Sequence, residues 1–204
     1  RACSIEQLKE KISLQNAVSY FSKSYPKSLK NIDYPPLYLF YEGQIEWLNF
    51  PSIAIVGARQ ATPYARQVLA KLIPRLVEEK QVIVSGLARG VDCFSHELAI
   101  GSGGKTIGVI GCGLDICYPR DVYDLFNEMK KNHLVLSEYP LGTPVRRYHF
   151  PMRNRIIAGI SDGTCVIEAK ERSGSLITAQ LALDAGKEVF AVPGDILNRN
   201  ASGC

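Results

Sequence analysis

Nowhere in the 204 residues does an apolar run approach the ~18 residues needed for a membrane-spanning helix. The N-terminus also lacks the charged, apolar and small-residue sections of a secretory signal, so the cytoplasm is the expected compartment. Low-complexity stretches are missing, and 46% apolar with 22% charged residues is a globular composition. The six cysteines (Cys3, Cys93, Cys112, Cys117, Cys165, Cys204) form no CxxC pair, and none stands at metal-ligand spacing from His96, His133 or His149. No metal, other cofactor or disulfide framework is therefore expected. Several of these cysteines lie in strand-like apolar runs, as reduced buried thiols do. Serine-protease-like and Cys-His arrangements are absent too, and "SGS" lacks the G-x-S-x-G pattern of a nucleophile elbow.

What is there is one α/β domain's worth of chain with a net charge of +4, a mild excess made informative by its bunching. The first residue is Arg1 and the last, "NRNASGC", read as turn chemistry, so the chain is expected to be part of a longer protein. The opening reads as two short amphipathic helices: Ser4 and Gln7 form a capping box, and Leu14, Ala17, Val18 and Phe21 recur at helical spacing. Residues 1–33 are expected to be a helical appendage and linker, and 34–204 the main domain. "LYLFYEG" reads as a strand. From Ser52, short Val/Ile-rich runs alternate with helices expected near 63–79, 91–100, 121–131, 152–160 and 175–185. Such runs mark strands buried on both faces, and the helices supply right-handed crossovers. The expected fold is α/β, an extended Rossmann-like doubly wound and mainly parallel sheet of six or seven strands, with ligand beyond the strands' carboxyl ends.

Those strand ends carry the chemistry. "GSGGKT" (101–106) lacks the first glycine of a phosphate loop and follows a helix rather than a strand, so a helix-ending turn is expected. "GCGLDI" (111–116) has two glycines of the dinucleotide fingerprint and Ile116 in place of the third. "SGLARGVD" (85–92) and "ERSGSLITA" (171–179) fit anion binding better, because each follows a buried strand and opens a helix. Gly86 and Gly174 allow close backbone approach, Ser85, Ser173 and Ser175 add hydroxyls, and Arg59 and Arg89 add charge. "RRYHFPMRNR" (146–155) sets four arginines around aromatic rings. Arg146, Arg147, Arg153 and Arg155 can track phosphates, and Tyr148, His149 and Phe150 can stack on bases. The competing reading pairs some arginines with Glu138, Glu168 or Glu171, and at least one of Arg153 and Arg155 is expected to be structural. Asp92, Glu138 and Glu168 are read as braces for arginines and loop amides rather than as acids or bases.

Together "AIVGARQATPYA", "IVSGLARGVDCFSHELAI", "GGKTIGVIGCGLDICYP", "LSEYPLGTPV", "HFPMRNRIIAGISDG" and "VIEAKERSGSLITAQLALDAGKEVFAVPGDI" resemble the DNA-processing protein A (DprA, or Smf) family from about Tyr25 to Cys204. The resemblance implies a cytoplasmic protein that binds single-stranded DNA without sequence preference, protects incoming strands in natural transformation and helps load the RecA recombinase. It also implies a homodimer in the full-length protein, and a helical, SAM-like N-terminal domain of which residues 1–33 would be the remnant. Arg59 falls where the family keeps a basic pocket residue, Arg120 where some members carry a DNA-contacting lysine, and Arg147 and Phe150 where relatives contact phosphate and base. Gly57, Ser85, Gly86, Arg89, Arg153, Ser173, Gly174 and Ser175 complete the expected pocket. Val122 departs from the asparagine that members often have there.

The alternative is a nucleotide-binding enzyme, a nucleoside-monophosphate phosphoribohydrolase. Its "PGGxGTxxE" loop has only "ERSGSLITA" as a counterpart, without the double glycine and with Ala179 and Gln180 where an acid is sought. A purely structural module would not need glycine and arginine at so many strand ends.

Overall fold

The computed structural model describes residues 15–194, 198 and 200–204. Among these residues eight strands form one sheet: β1 (Ala17–Ser19), β2 (Tyr38–Gly43), β3 (Ser52–Val56), β4 (Val82–Ser85), β5 (Thr106–Ile110), β6 (Leu134–Ser137), β7 (Gly163–Val166) and β8 (Glu188–Ala191). Their order is β1-β2-β6-β5-β4-β3-β7-β8. The six strands from β6 to β8 run parallel, and β2 and β1 are added antiparallel at one edge. The helices are α1 (Lys27–Lys30), α2 (Pro63–Glu78), α3 (Val91–Gly101), α4 (Tyr123–Asn132), α5 (His149–Ile160) and α6 (Gly174–Asp184). No helix among the described residues is long and apolar enough to cross a membrane.

Alternation along the strands assigns the two faces. In β3, Ala54 and Val56 join a core with Ile156 and Ile157 of α5 and Ala179 of α6. Ile55 between them points the other way, into a core with Leu69 and Ile73 of α2 and Val91 of α3. Phe126 and Met129 of α4 close a third cluster over β2, β5 and β6. Parallel strands covered on both faces in this way read as unbroken apolar runs, which is why β3 to β7 were legible.

Over Ala17, Val18 and Phe21 the expected helix is not formed, and Leu14 lies outside the described residues. Ala17–Ser19 is the edge strand β1, with Val18 opposite Leu39, flanked by backbone bonds from Tyr41 to Asn16 (3.0 Å) and from Tyr20 to Leu37 (2.9 Å). Pairing with β2 satisfies this backbone and buries Val18, whereas Phe21 is 85% exposed, so a tertiary edge overrides the local 3.6-residue period. The sheet thus begins inside the stretch expected to be appendage and linker. Ser4 and Gln7 lie outside the described residues.

Helix α5 starts at His149, earlier than expected, because Pro151 sits in its first turn, where a missing N–H costs nothing. "GSGGKT" ends α3: Gly104 N–H bonds Ala99 O (2.8 Å) and Gly103 takes the left-handed φ of +70°. "GCGLDI" opens no helix. Among the cysteines, Cys93, Cys112 and Cys165 are buried free thiols, Cys117 and Cys204 are free, and Cys3 lies outside the described residues.

Candidate functional site

Strand β3 leads through α2 to β4 on one side of the sheet, and its other neighbour β7 leads through α6 to β8 on the opposite side. Reversal of winding opens a crevice beyond the carboxyl ends of such strands. A cleft of about 980 Å³ occupies that place. Its walls are Gly57 to Gln60 after β3, Gly86, Ala88 and Arg89 after β4, and Gly111, Cys112, Tyr118 and Pro119 after β5. Lys170 and Arg172 to Ser175 follow β7, Asn200 comes from the last described segment, and Arg147, Phe150, Arg153 and Asn154 come from α5 and its approach.

Among the described residues, six cationic side chains line this cleft (Arg59, Arg89, Arg147, Arg153, Lys170 and Arg172), against the single carboxylate of Asp92. All but Arg153 are exposed. Phe150 is half-buried, with the Arg59 guanidinium 5.4 Å from its ring centroid and the Tyr118 ring at 5.8 Å. Charge and flat apolar surface therefore share one wall, the combination that suits a chain of phosphates carrying unstacked bases.

The floor is held internally. Arg153 is 5% exposed and donates from Nη1 to Gly86 O at 2.7 Å and to Val109 O. Asp92, in the first turn of α3, accepts from the amides of Gly86 (3.1 Å) and Ala88 (3.4 Å) through Oδ2. Burial pushes the Asp92 carboxyl up against the opposing pull of Arg153, and it lowers the Arg153 guanidinium to about 10, still charged at neutral pH. The Gly86 and Ala88 amides, which "SGLARGVD" was expected to offer an anion, are thus already used by the protein. The Ser85 hydroxyl is also turned inward, donating to Ile55 O at 2.6 Å.

The other glycine loop stays open. Ser173, at the N-cap of α6, makes no side-chain capping bond, and its Oγ sits 2.8 Å from that of Ser175. No acidic residue occupies the first turn, and Ser173, Gly174 and Ser175 line the cleft at this positive helix end. A Cβ on Gly174 would meet nothing within 4 Å, so packing in the free protein does not require a glycine there.

Of the residues anticipated from sequence, Gly57, Arg59, Gly86, Arg89, Arg147, Phe150, Arg153, Ser173, Gly174 and Ser175 all line the cleft. Ser85 lies beneath it, and Arg120, exposed in a short 3-10 turn (Arg120–Val122), does not line it. Arg155 is committed to Glu138 at 2.5 Å, and His149 is buried, donating from Nδ1 to Gly111 O at 2.9 Å and stacked on Tyr139. Glu168 is 1% exposed and accepts from the Thr62 amide at 3.0 Å. Bracing is thus the observed geometry of Asp92, Glu138 and Glu168. Tyr118, Lys170, Arg172, Asn154 and Asn200 line the cleft without having been singled out. Lys170 and Arg172 flank the nominated serine loop by one to three residues, a signal that proximity to that loop would have supplied.

A family model described as DNA recombination-mediator protein A matches residues 16–204. The chain is 47% identical over 186 residues to "DNA processing protein DprA" of Streptococcus pneumoniae, covering 91% of this chain and 66% of that protein. It is 47% identical over 189 residues to the Bacillus subtilis protein of the same name, covering 92% of this chain and 64% of the relative. This chain therefore spans slightly less than two thirds of the length of these relatives. The crystal structure of the Streptococcus pneumoniae protein superposes with a TM-score of 0.94 at 43% identity, covering 98% of this chain and 71% of that one. A structure of DNA processing protein A from Helicobacter pylori, described by its single-stranded DNA binding mode, gives 0.83 at 31% identity, covering 93% and 86%.

Proposed function

We propose, since this chain belongs to the DNA recombination-mediator protein A family, that it binds single-stranded DNA without sequence preference in the cleft at the carboxyl edge of its sheet. One observation carries the reading: among the described residues, six cations and a Phe150–Tyr118 aromatic shelf face the same cleft, and the one carboxylate there, Asp92, is a buried brace. Arg59, Arg89, Arg147, Lys170 and Arg172 follow the sugar-phosphate chain, the open end of α6 with Ser173, Gly174 and Ser175 takes one phosphate, and Phe150 stacks on a base. Arg153 shapes the floor on which they act. Arg120, outside the cleft, extends the cationic path toward neighbouring nucleotides.

The binding is non-catalytic: Asp92 in the cleft floor and Glu138 and Glu168 at neighbouring strand ends are engaged with protein groups. In the full-length protein, acting in the cytoplasm as a homodimer, the bound strand is protected during natural transformation and passed to the RecA recombinase. The recombination-mediator description of the family supports that assignment.

Fluorescence anisotropy of labelled oligo-dT of about 25 nucleotides, beside a duplex of equal length over a salt series, tests the reading. Preference for the single strand and steep weakening with salt are expected. Arg59→Ala and Arg147→Ala should each weaken binding and flatten the salt slope by about 0.7 per lost phosphate contact. Salt-independent binding, or none by folded protein, would overturn it, and release of free base from a nucleoside monophosphate would favour the phosphoribohydrolase reading.

A further inference from the structure

Arg89 differs from the other exposed cations of the cleft. Its Nε donates to Asp121 Oδ2 at 2.7 Å, with both side chains more than half exposed. Asp121 belongs to the 3-10 turn that ends the segment between β5 and α4. The same segment brings Tyr118 to 5.8 Å from the ring of Phe150. One stretch of the chain thus sets a carboxylate on a cleft arginine and a ring beside the cleft phenylalanine. These are the two kinds of contact that an incoming nucleotide makes, a negative oxygen on a guanidinium and a flat face near an aromatic.

We propose that Asp121 is an internal competitor of the DNA phosphate for Arg89, so that the β5–α4 segment must yield this arginine for the strand to seat fully. The proposal rests on the single-strand-binding reading of the cleft and names the residue that limits affinity within it. Physical scale favours exchange over a permanent lock. An exposed ion pair is weak because water and salt screen it, and both side chains are mobile enough to part. Phosphate presents several acceptor oxygens and belongs to a polyanion, so it outcompetes one exposed carboxylate at low salt. The side-chain hydrogen bond from Arg89, foremost among the influences on Asp121, holds its carboxyl below the usual range, so the competitor stays ionised at neutral pH.

The consequence is specific. Removing the carboxylate frees Arg89 in advance, so binding should tighten only where Arg89 is present to benefit. The test is a double-mutant cycle on this 204-residue chain: wild type, Asp121→Asn, Arg89→Ala and the double variant, each titrated with labelled oligo-dT at two salt concentrations. Asp121→Asn should tighten binding about two- to five-fold at low salt, with the gain shrinking as salt rises. In the Arg89→Ala background the same substitution should give markedly less. Thermal midpoints should stay together across the four proteins, since neither side chain is buried. An equal gain in both backgrounds would mean that Asp121 acts only as a general negative charge, which overturns the competition. No gain with Arg89 present overturns it as well, while wild-type binding remains intact. Wild-type protein that fails to bind the oligonucleotide at all would instead overturn the reading of the cleft and this proposal with it.

Discussion

Gly86 lies directly beneath the guanidinium of Arg153, which donates to its carbonyl at 2.7 Å, while its amide donates to Asp92 at 3.1 Å. A Cβ at this position would collide with Arg153 Nη1 and Asp92 Oδ2, both buried. The glycine is required by the charged floor. Gly86→Ala should therefore act on folding, costing about 2–4 kcal/mol through displaced buried charge. For a domain of this size the thermal midpoint should fall by roughly 5–15 °C, which differential scanning calorimetry measures.

Gly174 gives the opposite expectation. Its added Cβ would meet open space, and its φ is not in the left-handed region, so the fold does not demand glycine. A strand's phosphate approaching the first turn of α6 would demand it. Gly174→Ala should leave the thermal midpoint within about 2 °C of wild type while weakening oligo-dT binding roughly ten-fold, about 1.4 kcal/mol. Calorimetry and anisotropy on the same sample separate the two effects.

The two glycines also show what a sequence can convey. Both were visible as small residues after buried strands, and the sheet that presents them was legible because β3 to β7 are apolar on both faces. The difference between them was not legible. Whether an amide stays open depends on Asp92, six residues beyond Gly86 and folded back onto it from α3. Similarly, Arg153 and Arg155 look alike in "RNR", yet one reaches carbonyls on β5 and on the loop after β4, while the other reaches Glu138 after β6. Edge pairing decided Ala17–Ser19, where three residues carry too little periodicity to compete with a tertiary partner. Such outcomes are set by contacts between distant segments, which local pattern does not encode.

Acid stability should carry the signature of one histidine. His96 is fully buried, with Nδ1 at 2.6 Å from Thr106 Oγ1, whose own proton goes to Ile83 O at 2.8 Å. Thr106 is thus the acceptor, placing the proton of the neutral imidazole on Nδ1. Desolvation, then the neighbouring His133 and Arg153, lower its pKa from 6.5 to about 3. The unfolded chain takes up a proton below pH 6.5, which the folded protein refuses until pH 3, so the associated stability is full above 6.5 and lost as pH falls. Urea unfolding at pH 5 should show about 2 kcal/mol less stability than at pH 7 from this group. His96→Gln should remove most of that difference. His133, lowered mainly by burial, contributes in the same direction.

Single-stranded DNA should lie at the carboxyl ends of β3, β4, β5 and β7. Backbone amide chemical shifts, followed by heteronuclear NMR as unlabelled oligo-dT is added, report that location residue by residue. The largest shifts should fall on Gly57 to Gln60, Arg89, Phe150 and Lys170 to Ser175, with smaller ones at Asp121 as Arg89 is released. Shifts confined to the β8 edge or to α1, with those loops unmoved, would contradict that location.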